Sequence, residues 1–185
     1  MKHCSQCGSP VELIIPEGDN RERHVCANCG TIHYQNPRIV VGCIAQWQER
    51  IILCRRAIEP RYGYWTLPAG FLENSESTEQ GAARESLEEA CIDVQIGDLF
   101  TIISVPHIDQ VHLMYRAELR KPEYGVGDES LEVDLFAEDD IPWQQMAFPT
   151  VVLTLEHYFE DRRKGRFGVH SEVLIPGQNR PARGS

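Results

Sequence analysis

The sequence predicts an α/β domain built on a mixed sheet, preceded by a small unit that a metal ion holds together. Three observations carry that expectation. Four cysteines form two Cys-x2-Cys pairs, Cys4/Cys7 and Cys26/Cys29, with eighteen residues between the pairs. Apolar, β-branched runs follow at 38–45, 51–56, 99–105 and 111–119. Two stretches with helical character, 77–92 and 148–162, alternate with those runs, and such alternation gives an α/β layer architecture.

The cysteine pairs mark residues 1–36 as a zinc ribbon. Paired cysteines two residues apart suit tetrahedral Zn²⁺, and four thiolates close its coordination shell, so the metal is structural. Cys7-Gly8 and Cys29-Gly30 are the expected knuckles, with short strands in Val11–Ile15 and Glu22–Val25. So small a unit buries too little surface to fold unaided, and zinc supplies the missing stability. His3, His24 and His33 lie nearby but are not needed as ligands. The other cysteines, Cys43, Cys54 and Cys91, read as buried reduced thiols.

Tyr34–Pro37 reads as a linker into a domain spanning 37–170. The runs 38–45 and 51–56, joined by a turn at 48–50, read as paired and largely buried strands. Arg55 and Arg56 close the second: either exposed strand-end charges, or one of them reaches a substrate phosphate, which suits arginine's planar fork. Trp65 belongs to the core, whereas Tyr62 and Tyr64 remain open, Tyr64 being a candidate to stack on a base.

Next comes the most informative stretch, Gly70–Ile92. Ser77 is a ready N-cap and Gln80 completes a capping box. In the helix that follows, Glu85, Glu88 and Glu89 fall on one face within about a turn. Mutual repulsion makes that arrangement costly unless something compensates. A hard divalent cation, Mg²⁺ or Mn²⁺, prefers oxygen ligands and also holds phosphates. A solvated acidic face is the plain alternative. Beyond the helix come strands 99–105 and 111–119, joined by a hairpin loop that carries His107. An acidic loop at 125–130 runs into a strand, a helical turn follows near 139–143, and an amphipathic helix spans 148–162. Residues 171–185 are expected to be a flexible tail.

The spacing of Gly70, Glu76, Arg84-Glu85 and Glu88-Glu89 resembles the Nudix box, the signature of the Nudix hydrolases. Ser86 and Cys91 depart from it, standing where the family usually has an aliphatic residue and a glycine. The resemblance implies an α/β/α sandwich preceded by the ribbon. It implies Mg²⁺ or Mn²⁺ at Glu85, Glu88 and Glu89, with a backbone carbonyl of Ala69 or Gly70 completing the shell, and Arg84 paired with Glu76 as a structural tie. It also implies a further glutamate that joins the site or serves as general base, Glu132 first and Glu129 second, with Glu88 a third candidate. The reaction implied is hydrolysis of a pyrophosphate bond in a nucleoside diphosphate derivative, and family members often form homodimers.

The run Cys26–Pro37 and the segment Arg55–Pro60 are similar to zinc-ribbon Nudix hydrolases allied to plant chloroplast FAD and ADP-ribose pyrophosphatases. That favours ADP-ribose or FAD, with AMP released. NADH is the alternative, but Ser104-Val105-Pro106-His107 stands where NADH pyrophosphatases carry a Ser-Gln-Pro-Trp-Pro-Phe-type segment. The rivals outside this class are a non-catalytic nucleotide sensor and an enzyme acting on RNA ends.

Composition narrows the partners. The net charge of −10 argues against broad nucleic-acid binding, which needs clustered Lys and Arg. It leaves a small phosphorylated nucleotide open as substrate, because bound metal inverts the local charge. No run approaches the roughly 20 apolar residues that span a bilayer, and MKHCSQCG has no apolar signal segment. A cytoplasmic chain without a membrane partner is expected.

Overall fold

A computed structural model describes residues 1–177, in two compact units: Met1–Asn36 and a second that begins at Pro37. The first unit is a three-stranded antiparallel sheet of β1 (Val11–Ile14), β2 (Arg23–Cys26) and β3 (Ile32–His33). Its two turns repeat one design. The Gly8 N–H bonds the Cys4 carbonyl at 2.9 Å, and the Gly30 N–H bonds the Cys26 carbonyl at 2.8 Å. Both glycines have positive φ, 74° and 71°, which a residue with Cβ adopts only at a cost. Each turn buries the first cysteine of its pair, Cys4 or Cys26, and leaves the second, Cys7 or Cys29, exposed.

The second unit contains β4 (Arg38–Trp47), β5 (Arg50–Arg56), β6 (Trp65–Thr66), β7 (Ala69–Phe71), α1 (Thr78–Ala90), β8 (Val94–Val105), β9 (Gln110–Leu119), β10 (Ser130–Phe136), α2 (Pro149–Lys164) and β11 (His170–Val173). Its sheet runs β10-β5-β4-β9-β8-β11, with β6 added to β5 and β7 to β4. The β4/β9 and β8/β11 pairs are parallel and the others antiparallel, so the sheet is mixed.

The unbroken apolar character of β4 and β5 has a simple cause: both faces of these strands are covered. Cys43, Ala45, Ile52 and Cys54 pack in one core with Ala82 and Ala90 of α1. Ile44, Ile51 and Leu53 pack in the other with Val151, Leu155, Tyr158 and Phe159 of α2. Alternate residues serve opposite layers, as strand geometry requires. The result is the expected sandwich of helix, sheet and helix.

Several local expectations need correcting. β4 and β5 pair only at their turn, Gln46 with Ile51 and Trp47 with Arg50. Beyond it β4 pairs with β7 and β9, and β5 with β6 and β10, so the short strands β7 and β6 take the partners that β4 and β5 do not give each other. Ala69 and Gly70, where the box opens, belong to β7. β8 starts at Val94 rather than 99, carried past an irregularity in its register between Ile96 and Leu99. Cys91 is exposed, not buried, because it ends α1 in the left-handed conformation at φ 54°.

The tail does not begin at 171. Ser171–Val173 complete β11, which is tied to α2 by His170 Nε2 at 2.8 Å from Asp161 and by His157 stacked 4.1 Å from the His170 ring. Of the rest of that expected tail, 178–185 lies outside the described residues. No described helix is long and apolar enough to cross a membrane.

Candidate active site

α1 begins where its local chemistry says it should. The Ser77 side chain accepts from the Gln80 N–H at 3.2 Å, and the Gln80 side chain accepts from the Ser77 N–H at 2.8 Å. Ala82, Ser86 and Ala90 then face the sheet at 0% exposure. Ser86 fits there because its hydroxyl donates to the Ala82 carbonyl at 2.8 Å and lies 3.1 Å from the Cys43 sulfur. The same burial pushes the Cys43 thiol up to about 12, so it stays protonated.

With that face anchored, Glu85 and Glu89, one helical turn apart, turn toward β7. A Cβ on Gly70 would lie 2.3 Å from Glu85 Oε1, so only glycine lets the carboxylate settle against the strand. The Ala69 N–H donates to Glu89 Oε2 at 3.0 Å. Glu88 sits on the exposed side.

Arg84 binds this group together with five donated hydrogen bonds. It reaches Glu76 through Nε at 3.0 Å and Nη2 at 2.8 Å, and the Phe71 carbonyl at 3.0 Å. Its Nη1 reaches Glu85 at 2.7 Å and Glu88 at 2.9 Å. A guanidinium has five N–H donors, so all are used. The pair with Arg84 holds Glu76 down at about 2. Burial does the reverse to Glu85, whose pKa is raised, and to Glu89, pushed up to about 8.

A fourth carboxylate joins from the loop before β10. The Gly125 N–H bonds the Ala90 carbonyl at 2.8 Å and the Gly127 N–H bonds the Glu89 carbonyl at 3.2 Å. A Cβ on Gly127 would lie 1.7 Å from the Glu88 carbonyl oxygen, so this close docking also requires glycine. The Glu129 carbonyl accepts from the Ala57 N–H at 2.8 Å. Pinned on both sides, Glu129 lines one cavity of about 990 Å³ with Glu85, Glu88, Glu89, Gly70 and Arg56. Its charge adds to the upward push on Glu85 and Glu89.

In the first unit the sulfurs of Cys4, Cys7, Cys26 and Cys29 all lie within 4.8 Å of one another. Cys4–Cys29 is 3.6 Å and Cys7–Cys26 is 3.5 Å. Tetrahedral Zn²⁺ with Zn–S near 2.3 Å needs sulfurs about 3.8 Å apart, so the cluster fits zinc. Hydrogen bonds already favour thiolate at Cys7, where the Ser9 backbone and hydroxyl, Asn28 and Cys26 lower the pKa to about 6. His33 Nε2 lies 3.3 Å from the Cys4 sulfur, within hydrogen-bonding reach of it, and is not itself part of the four-sulfur cluster.

The profile of the NUDIX domain matches residues 36–153, and that of the Nudix N-terminal zinc ribbon matches residues 2–35. The chain belongs to the Nudix hydrolase family. A Nudix hydrolase structure from Nitrosomonas europaea is 50% identical, with a TM-score of 0.92, covering 94% of this chain and 99% of that one. An ADP-ribose pyrophosphatase from Methanocaldococcus jannaschii is 26% identical over 113 residues, 59% of this chain and 67% of the relative. The NAD-capped RNA hydrolase NudC of Salmonella typhi is 31% identical over 144 residues, 76% of this chain. The chain spans about half, 53%, of that relative's length.

Within the Nudix domain, the residues singled out from the sequence separate into two groups. Gly70, Glu76, Arg84, Glu85, Glu88 and Glu89 stand together, and Arg56 joins them at the cavity wall. Glu132, Arg55 and Tyr64 are not among the residues that line it. Glu132 is exposed and sits 3.5 Å from Arg55, its partner across the β5/β10 pair, while Arg55 Nε donates to the Gly63 carbonyl at 3.0 Å. Tyr64 packs against the Arg61 guanidinium, 5.5 Å from its ring centre. The register shifts between Ser130 and Glu132, so the loop residue Glu129, not Glu132, reaches the glutamates. His112 and Thr150 also line the cavity and had no signal in the sequence.

Proposed function

We propose that the chain hydrolyses the pyrophosphate bond of ADP-ribose or FAD, releasing AMP. The observation that supports this reading most is the single cavity lined by Glu85, Glu88, Glu89 and Glu129 together with the buried Arg56. The donor set suits Mg²⁺ or Mn²⁺: all oxygen, crowded, and with Glu85 and Glu89 paying for burial of charge that a cation would offset. Glu85, Glu88 and Glu89 would hold the ion, Glu88 turning from Arg84 to do so. When bound, the cation neutralises phosphate charge and acidifies water.

The protein's own groups then have distinct tasks. Arg56 binds a phosphate oxygen, and Arg84 with Glu76 holds the loop against α1 so that the glutamates keep their places. Glu129 takes the proton as water attacks one phosphorus. The bond from that phosphorus to the bridging oxygen breaks, leaving AMP and ribose 5-phosphate from ADP-ribose, or AMP and FMN from FAD. The zinc held by Cys4, Cys7, Cys26 and Cys29 is structural.

A second reading has its own support: the match to NudC covers more of this chain than the match to the ADP-ribose pyrophosphatase. Under it the substrate is NADH or an NAD-bearing RNA end. Phosphatase-coupled turnover on ADP-ribose, FAD, NADH and NAD-capped RNA, each with and without Mg²⁺ or Mn²⁺, separates the two. Metal-dependent preference for ADP-ribose or FAD is expected. Preference for NADH or the capped RNA transfers the assignment, and nucleotide binding without turnover of any of them leaves a sensor.

A further inference from the structure

The first turn of α2 carries donors that the protein itself leaves unused. Pro149, at the start of the helix, has no N–H, and the N–H groups of Val151 and Val152 both bond the Phe148 carbonyl, at 3.1 and 3.2 Å. Phe148 supplies no capping side chain. Among the described residues the Thr150 N–H has no partner, and neither has its hydroxyl, although Thr150 is only 3% exposed.

Arg56 stands in a similar condition. It is 8% exposed, its Nε donates to the Pro60 carbonyl at 2.9 Å, and its guanidinium lies over the Phe148 ring at 5.1 Å. Its terminal nitrogens make no hydrogen bond among the described residues. Arg56, Phe148, Pro149 and Thr150 all line the cavity that holds the glutamates. A helix N-terminus concentrates partial positive charge on its free N–H groups, and a free guanidinium fork matches two phosphate oxygens. Buried polar groups normally find partners, so the Thr150 hydroxyl awaits a ligand with acceptor oxygens, and the Arg56 fork lines the same cavity.

We propose that Thr150 and the first turn of α2, together with Arg56, form an oxyanion subsite for a phosphate of the bound nucleotide. It takes oxygens that the glutamate-held cation leaves free. This rests on the reading above, in which the nucleotide's phosphates enter this cavity. It adds a protein-built positive wall across from the carboxylates, whereas Arg84 is already committed to Glu76, Glu85 and Glu88.

The test is calorimetric binding of AMP and of adenosine to the full-length protein in magnesium buffer, for wild type, Thr150→Val and Arg56→Gln. Valine keeps the shape of threonine and removes an unpartnered hydroxyl, so Thr150→Val should melt at or above the wild-type temperature. It should weaken AMP about fivefold, and Arg56→Gln should weaken it more than about tenfold. Adenosine should be unaffected, or bind no variant measurably. Unchanged AMP affinity in Thr150→Val, within twofold, overturns the proposal even where Arg56→Gln fails to fold. So does an equal loss for adenosine and AMP, which would move the side chain to the nucleoside, and so does failure of the wild type to bind millimolar AMP. Because no turnover is read, a chain that cleaves none of the dinucleotides yet shows this pattern keeps the subsite and loses the proposed activity. Cleavage with unchanged AMP binding does the reverse.

Discussion

In the ribbon, four sulfurs stand within 4.8 Å of one another, each pair of cysteines held by its own turn. In the Nudix domain, Glu85 and Glu88 are both drawn to Arg84, Glu89 bonds the Ala69 N–H, and Glu129 arrives from another loop. Among the described residues only the cysteines bring their ligand atoms together in this way. The contrast follows from ligand chemistry. Soft thiolates in a closed tetrahedron make a fixed staple, and short local turns suffice to build it. Hard carboxylates repel one another, and here they are held apart on one arginine and one backbone N–H; the cation site proposed above would need such ligands free to regroup.

The strongest way to sharpen this comparison is to remove one ligand from each cluster. Glu89→Gln should lower kcat by about 10³-fold or more with the fold intact, as circular dichroism and melting would show. Cys26→Ser should leave turnover chemistry to the other unit but abolish zinc, taking metal content from about one per chain to none. Glu129→Gln should cost about 10²-fold in kcat, the usual range for a lost general base.

Gly70→Ala tests the packing that places Glu85. The new Cβ meets the carboxylate at 2.3–2.5 Å, so Glu85 must shift, and kcat should fall about tenfold with little change in melting temperature. The smallest effect belongs to Glu132→Gln. Its exposed pair with Arg55 at 3.5 Å is worth about 0–1 kcal/mol, and kcat should change less than about threefold. A larger loss there than at Glu129 would reverse the assignment of the loop glutamates.

Much of this was legible in the sequence because it is local. The ribbon rests on two four-residue knuckles, and the acidic helix announces its own start through Ser77 and Gln80. What escaped depends on register or distance. Arg55 and Arg56 are neighbours on one strand and face opposite ways, so a pattern of residue types does not choose between them. Glu129 and Glu132 are separated by a register shift, and a slip of one residue exchanges faces. β11 is stabilised by parallel pairing with β8 and by His170 on Asp161, contacts that no local signal encodes. Thr150 has the look of an ordinary helix residue until the cavity is seen beside it.

The most direct test of the account is titration of Mn²⁺ into the zinc-loaded protein, followed by electron paramagnetic resonance, with and without AMP. The expected result is a Mn²⁺ site that tightens when AMP is present and is lost in Glu89→Gln, with zinc at one per chain throughout. Equal Mn²⁺ binding by wild type and Glu89→Gln would contradict it, because the cation would then be held somewhere other than the glutamates of α1.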